Sequence, residues 1–179
     1  MPWEIEFLNW LQTIHNPILD RLMVGITYLG SGGILWIIIA VLLLLNKKYR
    51  TWGIVVAASL IGCLLIGNLT LKPLIARVRP YEIAGFTELL IGKLSDYSFP
   101  SGHTQASFAA ATVLFVMNKK WGIGALLIAA LIAFSRLYLY VHFPTDVFAG
   151  FVIGVVIALL CVKFIKPRIP EKWRGELNE

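Results

Sequence analysis

Five long uncharged runs dominate the sequence, and short polar or charged connections separate them. The runs are Leu22–Asn46, Thr51–Leu71, Thr104–Asn118, Trp121–Ser135 and Val147–Val162. A membrane-spanning helix needs about 20 mostly apolar residues, with some tolerance where aromatic and cationic side chains reach the interface. The strands of a membrane barrel would instead show short alternating segments. The pattern therefore predicts an all-α, polytopic membrane bundle with five transmembrane helices.

The residues around the start of the first run form a less regular pattern. Gly30-Ser31-Gly32-Gly33 predicts a break, so a crossing is expected from about 33 to 46, after a helical segment from about Pro17 to Leu29. Further upstream, apolar side chains recur at helical spacing, with Glu4 and Glu6 off their face: Trp3, Phe7, Trp10, Leu11 and Ile14. This stretch predicts either an interfacial amphipathic helix or half of a sixth crossing, which makes six helices in total.

Composition agrees with a protein that lies in lipid. Of the 179 residues 58% are hydrophobic and 15% are charged, with a mean hydropathy of +0.78, and this excludes a water-soluble globule. We expect one membrane domain over 1–179, made of an N-terminal segment 1–30, a catalytic helical core 33–165 and a basic tail 166–179. Cys63 and Cys161 lie inside apolar runs and are interpreted as core residues rather than disulfide or metal-binding cysteines.

The basic residues predict the orientation of the bundle. Ten of the sixteen Lys and Arg residues fall at 46–50, at 118–120 and in the tail after 162, which share one side of a five-span arrangement. The positive-inside rule makes that side, and the C-terminus, cytoplasmic. Residues 72–103 and 136–146 then lie on the extracytoplasmic side, where their charges indicate a functional site. This orientation explains the net charge of +6, so nucleic-acid binding is not expected.

The first of three polar clusters on that side follows the second run, at residues 72–80. Lys72 and Arg79 are seven residues apart, and seven helical steps of about 100° return to nearly the same direction. We therefore expect both cations to project from one helical face, where they need an anion. Arg77 points in another direction and is interpreted as reaching lipid phosphates.

The second cluster is Pro100-Ser101-Gly102-His103, just before the helix that begins near Thr104. Serine is a favoured N-cap, and Gly102 lets an anion approach the free backbone N–H groups of the helix start, where the Ser101 hydroxyl also donates. His103 lies at the edge of this anion pocket. The alternative for His103 is an interfacial histidine bonded to a loop carbonyl.

The third cluster joins the last two runs, at residues 135–146. Pro144 suits the first turn of the last helix, and the spacing of four between His142 and Asp146 lets the carboxylate orient the imidazole. A purely structural hydrogen bond between these two residues is the alternative. Arg136 lies at a helix end, where a charge is costly unless an anion meets it.

Together, the clusters predict a phosphoryl-transfer site. Guanidinium and ammonium groups bind phosphate oxygens, and the helix start at Ser101 and Gly102 forms an anion pocket. Substrate binding is therefore assigned to Lys72, Arg79, Ser101, Gly102 and Arg136. His142 is the expected nucleophile because Asp146 stabilises the charge its ring gains, and His103 is the expected general acid. Three fixed cations would repel a divalent ion, so neither a metal nor another cofactor is expected.

These residues resemble the signature of the type 2 phosphatidic acid phosphatase family. Its pattern is Lys-x6-Arg-Pro, then Pro-Ser-Gly-His, then Ser-Arg-x5-His-x3-Asp, and all three parts occur here in order between Lys72 and Asp146. The resemblance covers about residues 51–165. It implies a metal-independent membrane lipid phosphatase that forms a phosphohistidine at His142, with the other residues in the roles given above.

The small size and short loops resemble bacterial members that act on phosphatidylglycerophosphate or undecaprenyl diphosphate in the plasma membrane. We expect phosphatidylglycerophosphate as the substrate, with undecaprenyl diphosphate as the alternative, so the partner is a membrane phospholipid or a polyprenyl phosphate. Soluble vanadium-dependent haloperoxidases share the motifs, but the apolar composition excludes them. A transporter of anionic lipid is the non-enzymatic alternative, and the scarcity of polar residues inside the runs disfavours it.

Overall fold

The part of the chain that the structure describes consists of helices and their connections. The computed structural model describes residues 2–173, and no strand occurs among them, which confirms the all-α class. The α-helices, in chain order, are α1 (Pro2–Gln12), α2 (Pro17–Gly30), α3 (Ile34–Leu45), α4 (Arg50–Cys63), α5 (Lys72–Ile75), α6 (Pro80–Ile83), α7 (Gly102–Met117), α8 (Lys119–Tyr138) and α9 (Pro144–Leu160). Wider π-helical turns continue α4 over Leu64–Leu71 and α9 over Cys161–Ile165.

Four helical segments within residues 2–173 are long and apolar enough to cross a membrane. They are Pro17–Leu45, Arg50–Ile83, Lys119–Tyr138 and Pro144–Arg168. The helix α7 has 16 residues, or about 24 Å of helix, and is shorter than these four. It packs against α4, α8 and α9, and its alanines 109–111 are fully buried. Four segments therefore meet the requirements for a span, one fewer than the five predicted.

The first span consists of two helices. Gly32 and Gly33 have positive φ angles of 59° and 70°, so the chain breaks between α2 and α3 at the predicted glycines. Helix α3 has only 12 residues, about 18 Å, which is too short for a hydrocarbon core of about 30 Å. The predicted crossing over 33–46 is therefore part of the longer candidate span Pro17–Leu45, to which α2 contributes the other half.

Helix α1 is a separate helix of 11 residues at one end of the bundle. It is about 16 Å long, packs against the end of α8 and does not belong to the four segments that are long enough to cross a membrane. Its buried face is formed by Glu4, Leu8 and Leu11, whereas Trp3 and Trp10 are about half exposed. The prediction that Glu4 lies off the packed face was wrong, because an ion pair with Arg77 holds it inside.

The basic clusters lie at one end of the bundle. The rings of Tyr49 and Trp121 are 5.9 Å apart, and Arg50 lies 5.4 Å from the ring of Trp173, so both basic loops and the tail meet there. Arg174, which was included in the predicted cluster, lies outside the described residues. Helix α1, the segment 76–101 and the turn 139–143 lie at the opposite end.

Two glycines of α9 allow a close approach to α7. A Cβ atom at Gly150 would lie 2.7 Å from the carbonyl oxygen of Ser101, and one at Gly154 would lie 2.4 Å from that of Gln105. Neither distance is possible for a real Cβ atom, so glycine is required at both positions. This contact brings the N-terminal ends of α7 and α9, and hence the second and third polar clusters, side by side.

Candidate active site

A cavity of about 550 Å³ opens at the end of the bundle that carries the three polar clusters. Residues from each of the clusters, together with one aspartate, line its polar end: Lys72, Arg79, Asp96, Gly102, His103, Arg136 and His142. The fold therefore brings together segments that are far apart in the sequence.

Lys72 and Arg79 do not share a helical face, in contrast to the prediction. Helix α5 ends, Ala76 adopts a left-handed conformation with a φ of 48°, and Arg79 is extended before Pro80. A residue that precedes proline is driven out of the helical region, so the predicted helix does not continue through Arg79. The two cations converge nevertheless, because both bind Asp96.

Asp96 lies on the loop between α6 and α7 and is the anion that these cations meet. One of its carboxylate oxygens accepts a hydrogen bond from Arg79 Nη2 at 2.6 Å, and the other accepts one from Lys72 Nζ. Burial alone would raise the pKa of Asp96, but the hydrogen bonds and charges of Lys72 and Arg79 outweigh it and lower the pKa to about 2. Lys72 and Arg79, which were predicted to bind substrate, are therefore paired with an ionised carboxylate.

The start of α7 carries the second cluster. Ser101 is the N-cap, as predicted, but its hydroxyl is buried against Thr104 Oγ1 at 2.9 Å, and Ser101 does not line the cavity. Gly102 and His103 do line it. The Nε2 atom of His103 lies 3.4 Å from the hydroxyl of Ser31, which belongs to the break between α2 and α3. The N-terminal span therefore completes this wall of the cavity.

Arg136, at the end of α8, is almost completely buried. Its Nη1 donates to the hydroxyl of Thr27 on α2. Its Nε and Nη2 have no hydrogen-bond partner among the described residues, although the side chain lines the cavity. Because buried charged donors are costly when they are unpaired, this guanidinium is suited to an anion in the cavity.

His142 lies between a cation and a carboxylate. Its Nε2 is 3.4 Å from Arg79 Nη1, and its Nδ1 is 3.6 Å from Asp146 Oδ2, which is longer than a normal hydrogen bond. Burial and the charges of Arg79 and Arg136 lower the pKa of His142 to about 3, although Asp146 opposes this shift. The imidazole is therefore neutral near pH 7 and can act as a nucleophile through Nε2.

Arg77 binds two carboxylates rather than lipid phosphates. Its Nη1 donates to Asp146 Oδ1 at 2.5 Å, and its Nη2 donates to Glu4 Oε2 at 2.7 Å. The earlier interpretation was wrong because it assumed a continuous helix, whereas the turn after α5 directs Arg77 toward α9. Sequence reasoning also missed the roles of Glu4 and Asp96. The available signal for Glu4 was a carboxylate in a mostly apolar helix, and Glu6 of the same helix gives that signal as well.

The remainder of the cavity is apolar and runs between the first two spans. Aliphatic side chains of α3, α4 and the adjoining π-helical turn line it: Ile37, Ala40, Val41, Leu44, Ala57, Leu60, Ile61 and Leu64. Several of these, including Ile37 and Ile61, are about half exposed on the outside of the bundle. The cationic end is thus continuous with a groove that suits a hydrocarbon chain.

The polar end offers little to a metal ion. Within residues 2–173, no group of three or more His, Cys, Asp and Glu side chains is arranged to hold one. Cys63 and Cys161 are free and buried, which confirms their interpretation as core residues. The only carboxylate that lines the cavity, among the described residues, is Asp96, and two cations already neutralise it.

This chain is similar to known proteins in both sequence and fold. The sequence model of the PAP2 superfamily matches residues 51–170. An undecaprenyl-diphosphatase of Sulfolobus acidocaldarius is 36% identical over 162 residues, which cover 90% of this chain and 78% of that protein. Phosphatidylglycerophosphatase B of Bacillus subtilis is 34% identical over 163 residues, which cover 84% of this chain and 77% of that protein. The crystal structure of a transmembrane PAP2-type phosphatidylglycerolphosphate phosphatase from Bacillus subtilis superposes with a TM-score of 0.78 at 29% identity, over 95% of this chain and 87% of that one.

Proposed function

The chain belongs to the PAP2 superfamily and is a membrane lipid phosphatase, and we propose that it hydrolyses phosphatidylglycerophosphate to phosphatidylglycerol and phosphate. The family membership that the three motifs predicted is thereby confirmed. The observation that carries a lipid phosphate as the substrate is the cavity itself, in which a cationic end is continuous with an apolar groove. The choice of phosphatidylglycerophosphate is supported by the likeness to the phosphatidylglycerolphosphate phosphatase structure over 95% of this chain. Such a cavity suits the phosphate and the hydrocarbon chain of one molecule.

In this proposal, the cationic end binds the phosphate group. Arg136 offers two unpaired nitrogens, and Lys72 and Arg79 become available when Asp96 gives up its hydrogen bonds. Backbone N–H groups at the start of α7, beside Gly102, add further donors for an anion. Ser101 contributes as the N-cap that holds this helix start in place.

The proposed reaction has two steps. In the first, His103 holds a proton because the bound phosphate carries negative charge beside it. His142 Nε2 then attacks phosphorus while the bond from phosphorus to the lipid oxygen breaks, and His103 gives that oxygen its proton. Asp146 faces Nδ1 and stabilises the charge of the phosphohistidine. In the second step, His103 takes a proton from water, the water oxygen attacks phosphorus, and phosphate leaves as His142 is restored.

The proposed orientation places the cavity on the extracytoplasmic face of the plasma membrane. The basic loops and tail carry ten of the sixteen Lys and Arg residues, and their described part lies at the opposite end of the bundle. The positive-inside rule supports a cytoplasmic location for that end and for the C-terminus.

Undecaprenyl diphosphate is the second candidate substrate. The 36% identical relative, which is an undecaprenyl-diphosphatase, favours it. The groove suits a prenyl chain as well as an acyl chain, because both are apolar. The two reactions differ in the leaving group, which is an alcohol for phosphatidylglycerophosphate and a lipid phosphate for undecaprenyl diphosphate.

Phosphate release by the purified full-length protein tests the proposal. The substrates are phosphatidylglycerophosphate, undecaprenyl diphosphate, phosphatidic acid and a soluble phosphate monoester, and we expect the highest kcat/KM for phosphatidylglycerophosphate. A higher kcat/KM for undecaprenyl diphosphate would select the second candidate, and equal values for lipid and soluble esters would contradict the role of the groove. His142→Ala should lose several orders of magnitude in turnover, roughly 10⁴-fold or more.

A further inference from the structure

Asp146 is held from the side opposite His142 by side chains that do not belong to the three motifs. We propose that Arg77 and Glu4 are positioning residues, which fix Asp146 and through it the ring of His142, so that helix α1 forms part of the catalytic machinery. This inference rests on the proposed function, since it takes His142 as the nucleophile.

Both carboxylate oxygens of Asp146 have defined donors. Oδ2 accepts hydrogen bonds from the Ser98 hydroxyl and from the Phe143 backbone N–H, the latter at 2.9 Å, and Oδ1 accepts one from Arg77 Nη1 at 2.5 Å. A carboxylate that is bound at both oxygens cannot rotate, so the imidazole of His142, at 3.6 Å, faces a fixed acceptor. Loss of Arg77 would release Oδ1 and allow the carboxylate to turn.

Glu4 in turn fixes Arg77. Its Oε2 accepts from Arg77 Nη2 at 2.7 Å, and its Oε1 accepts from the Thr145 hydroxyl at 2.6 Å and the Thr145 backbone N–H at 3.2 Å. The Arg77 guanidinium also lies 4.0 Å from the centre of the Phe143 ring. Because the Glu4 side chain is fully buried, its charge requires this partner, and the guanidinium is confined between two carboxylates.

Charge on Glu4 persists at neutral pH. Burial alone would raise the pKa of Glu4, but hydrogen bonds from Thr145 and Arg77 outweigh it, and the net shift is downward. A glutamine could not replace this carboxylate, because one acceptor oxygen would become an NH₂ group that faces a donor of Thr145 or Arg77. Glu4→Gln therefore breaks the contact with either Arg77 or Thr145 while it keeps the size of the side chain.

Neither Arg77 nor Glu4 lines the cavity, so their effect reaches the reaction through Asp146. This position predicts a specific kinetic result. The chemical step should slow because the ring of His142 loses its fixed orientation, whereas phosphate binding at the cationic end should stay the same. If Glu4 and Arg77 only anchored α1, their loss would lower the melting temperature, but it would not slow the chemical step while phosphate binding stays the same.

The test compares purified full-length variants by kcat, by the inhibition constant of inorganic phosphate and by melting temperature. We expect kcat to fall about tenfold in Glu4→Gln and about 10²-fold in Arg77→Met, with the inhibition constant changed by less than about twofold. Arg77→Lys, which keeps the charge, should recover a large part of the loss. Glu6→Gln is the matched control, since it makes the same change on the exposed side of α1 and should leave kcat unchanged.

A kcat for Glu4→Gln equal to that of Glu6→Gln would overturn the inference, and so would a phosphate inhibition constant that rises in parallel with the loss of kcat. If Arg77→Met does not fold, Glu4→Gln and Arg77→Lys decide the question by the same criteria. His142→Ala in the same series separates the two proposals. Absence of lipid hydrolysis by the wild type rejects the proposed function, and turnover retained in His142→Ala rejects His142 as the nucleophile. An inactive His142→Ala beside a fully active Glu4→Gln rejects only the positioning role.

Discussion

Asp96→Asn should strengthen the binding of inorganic phosphate and of its analogue vanadate, although it removes a charged residue from the cavity. The Asp96 carboxylate binds both Lys72 and Arg79, so an incoming phosphate must displace it or share its donors. Asparagine keeps the size of the side chain and one acceptor oxygen but carries no charge. In the variant, Lys72 and Arg79 can therefore bind phosphate without competition from a carboxylate.

The expected size of this effect follows from the pairing that phosphate must displace. Hydrogen bonds to charged groups contribute about 1.5–3 kcal/mol when buried, whereas exposed ion pairs contribute about 0.2–1 kcal/mol. The Asp96 side chain is 52% exposed, although those of Lys72 and Arg79 are 7% and 2% exposed, so an intermediate cost applies. A displacement cost of about 1–2 kcal/mol corresponds to roughly 5- to 30-fold tighter binding in the variant.

The assay is the inhibition constant of phosphate against hydrolysis of the lipid substrate, measured at constant ionic strength because salt screens exposed charges. Glu88→Gln, at an exposed position on the same loop, is the matched control for the loss of one negative charge. The pKa of Asp96 is about 2, so the carboxylate stays ionised and the difference should persist between about pH 5 and 8. Unchanged or weaker inhibition in Asp96→Asn, with Glu88→Gln like the wild type, would refute competition between Asp96 and phosphate.

Three further results are expected. His103→Ala should lower hydrolysis of a lipid monoester about 10²-fold more than that of an activated aryl phosphate, because a good leaving group needs no proton; equal losses would assign His103 to phosphate binding. Activity should survive excess EDTA because side chains supply the positive charge, and a loss that Mg²⁺ or Zn²⁺ restores would contradict this. A cysteine introduced at 81–99 should react with an impermeant thiol reagent in intact cells, and one at Lys119 should not, whereas the reverse pattern would place the cavity on the cytoplasmic side.

The sequence by itself determined the class of fold and the residues of the three motifs. Long uncharged runs in lipid must satisfy their backbone hydrogen bonds internally, which leaves helices as the solution for runs of this length. Local rules also identified the N-cap Ser101, the break at Gly30–Gly33 and Pro144 at the start of α9, because each depends on neighbours within a few residues. The exact crossings were less predictable, since α2 and α3 share one span.

Only the tertiary structure decided how charged side chains are paired. The spacing of Lys72 and Arg79 predicted one helical face, but helix α5 ends before Ala76 and the cations meet at Asp96 instead. Arg77 and Glu4 are 73 positions apart, and nothing in the local sequence of either one specifies the other. A buried charge is stabilised by whichever opposite charge the packed helices bring within reach, and that choice depends on the arrangement of the whole bundle.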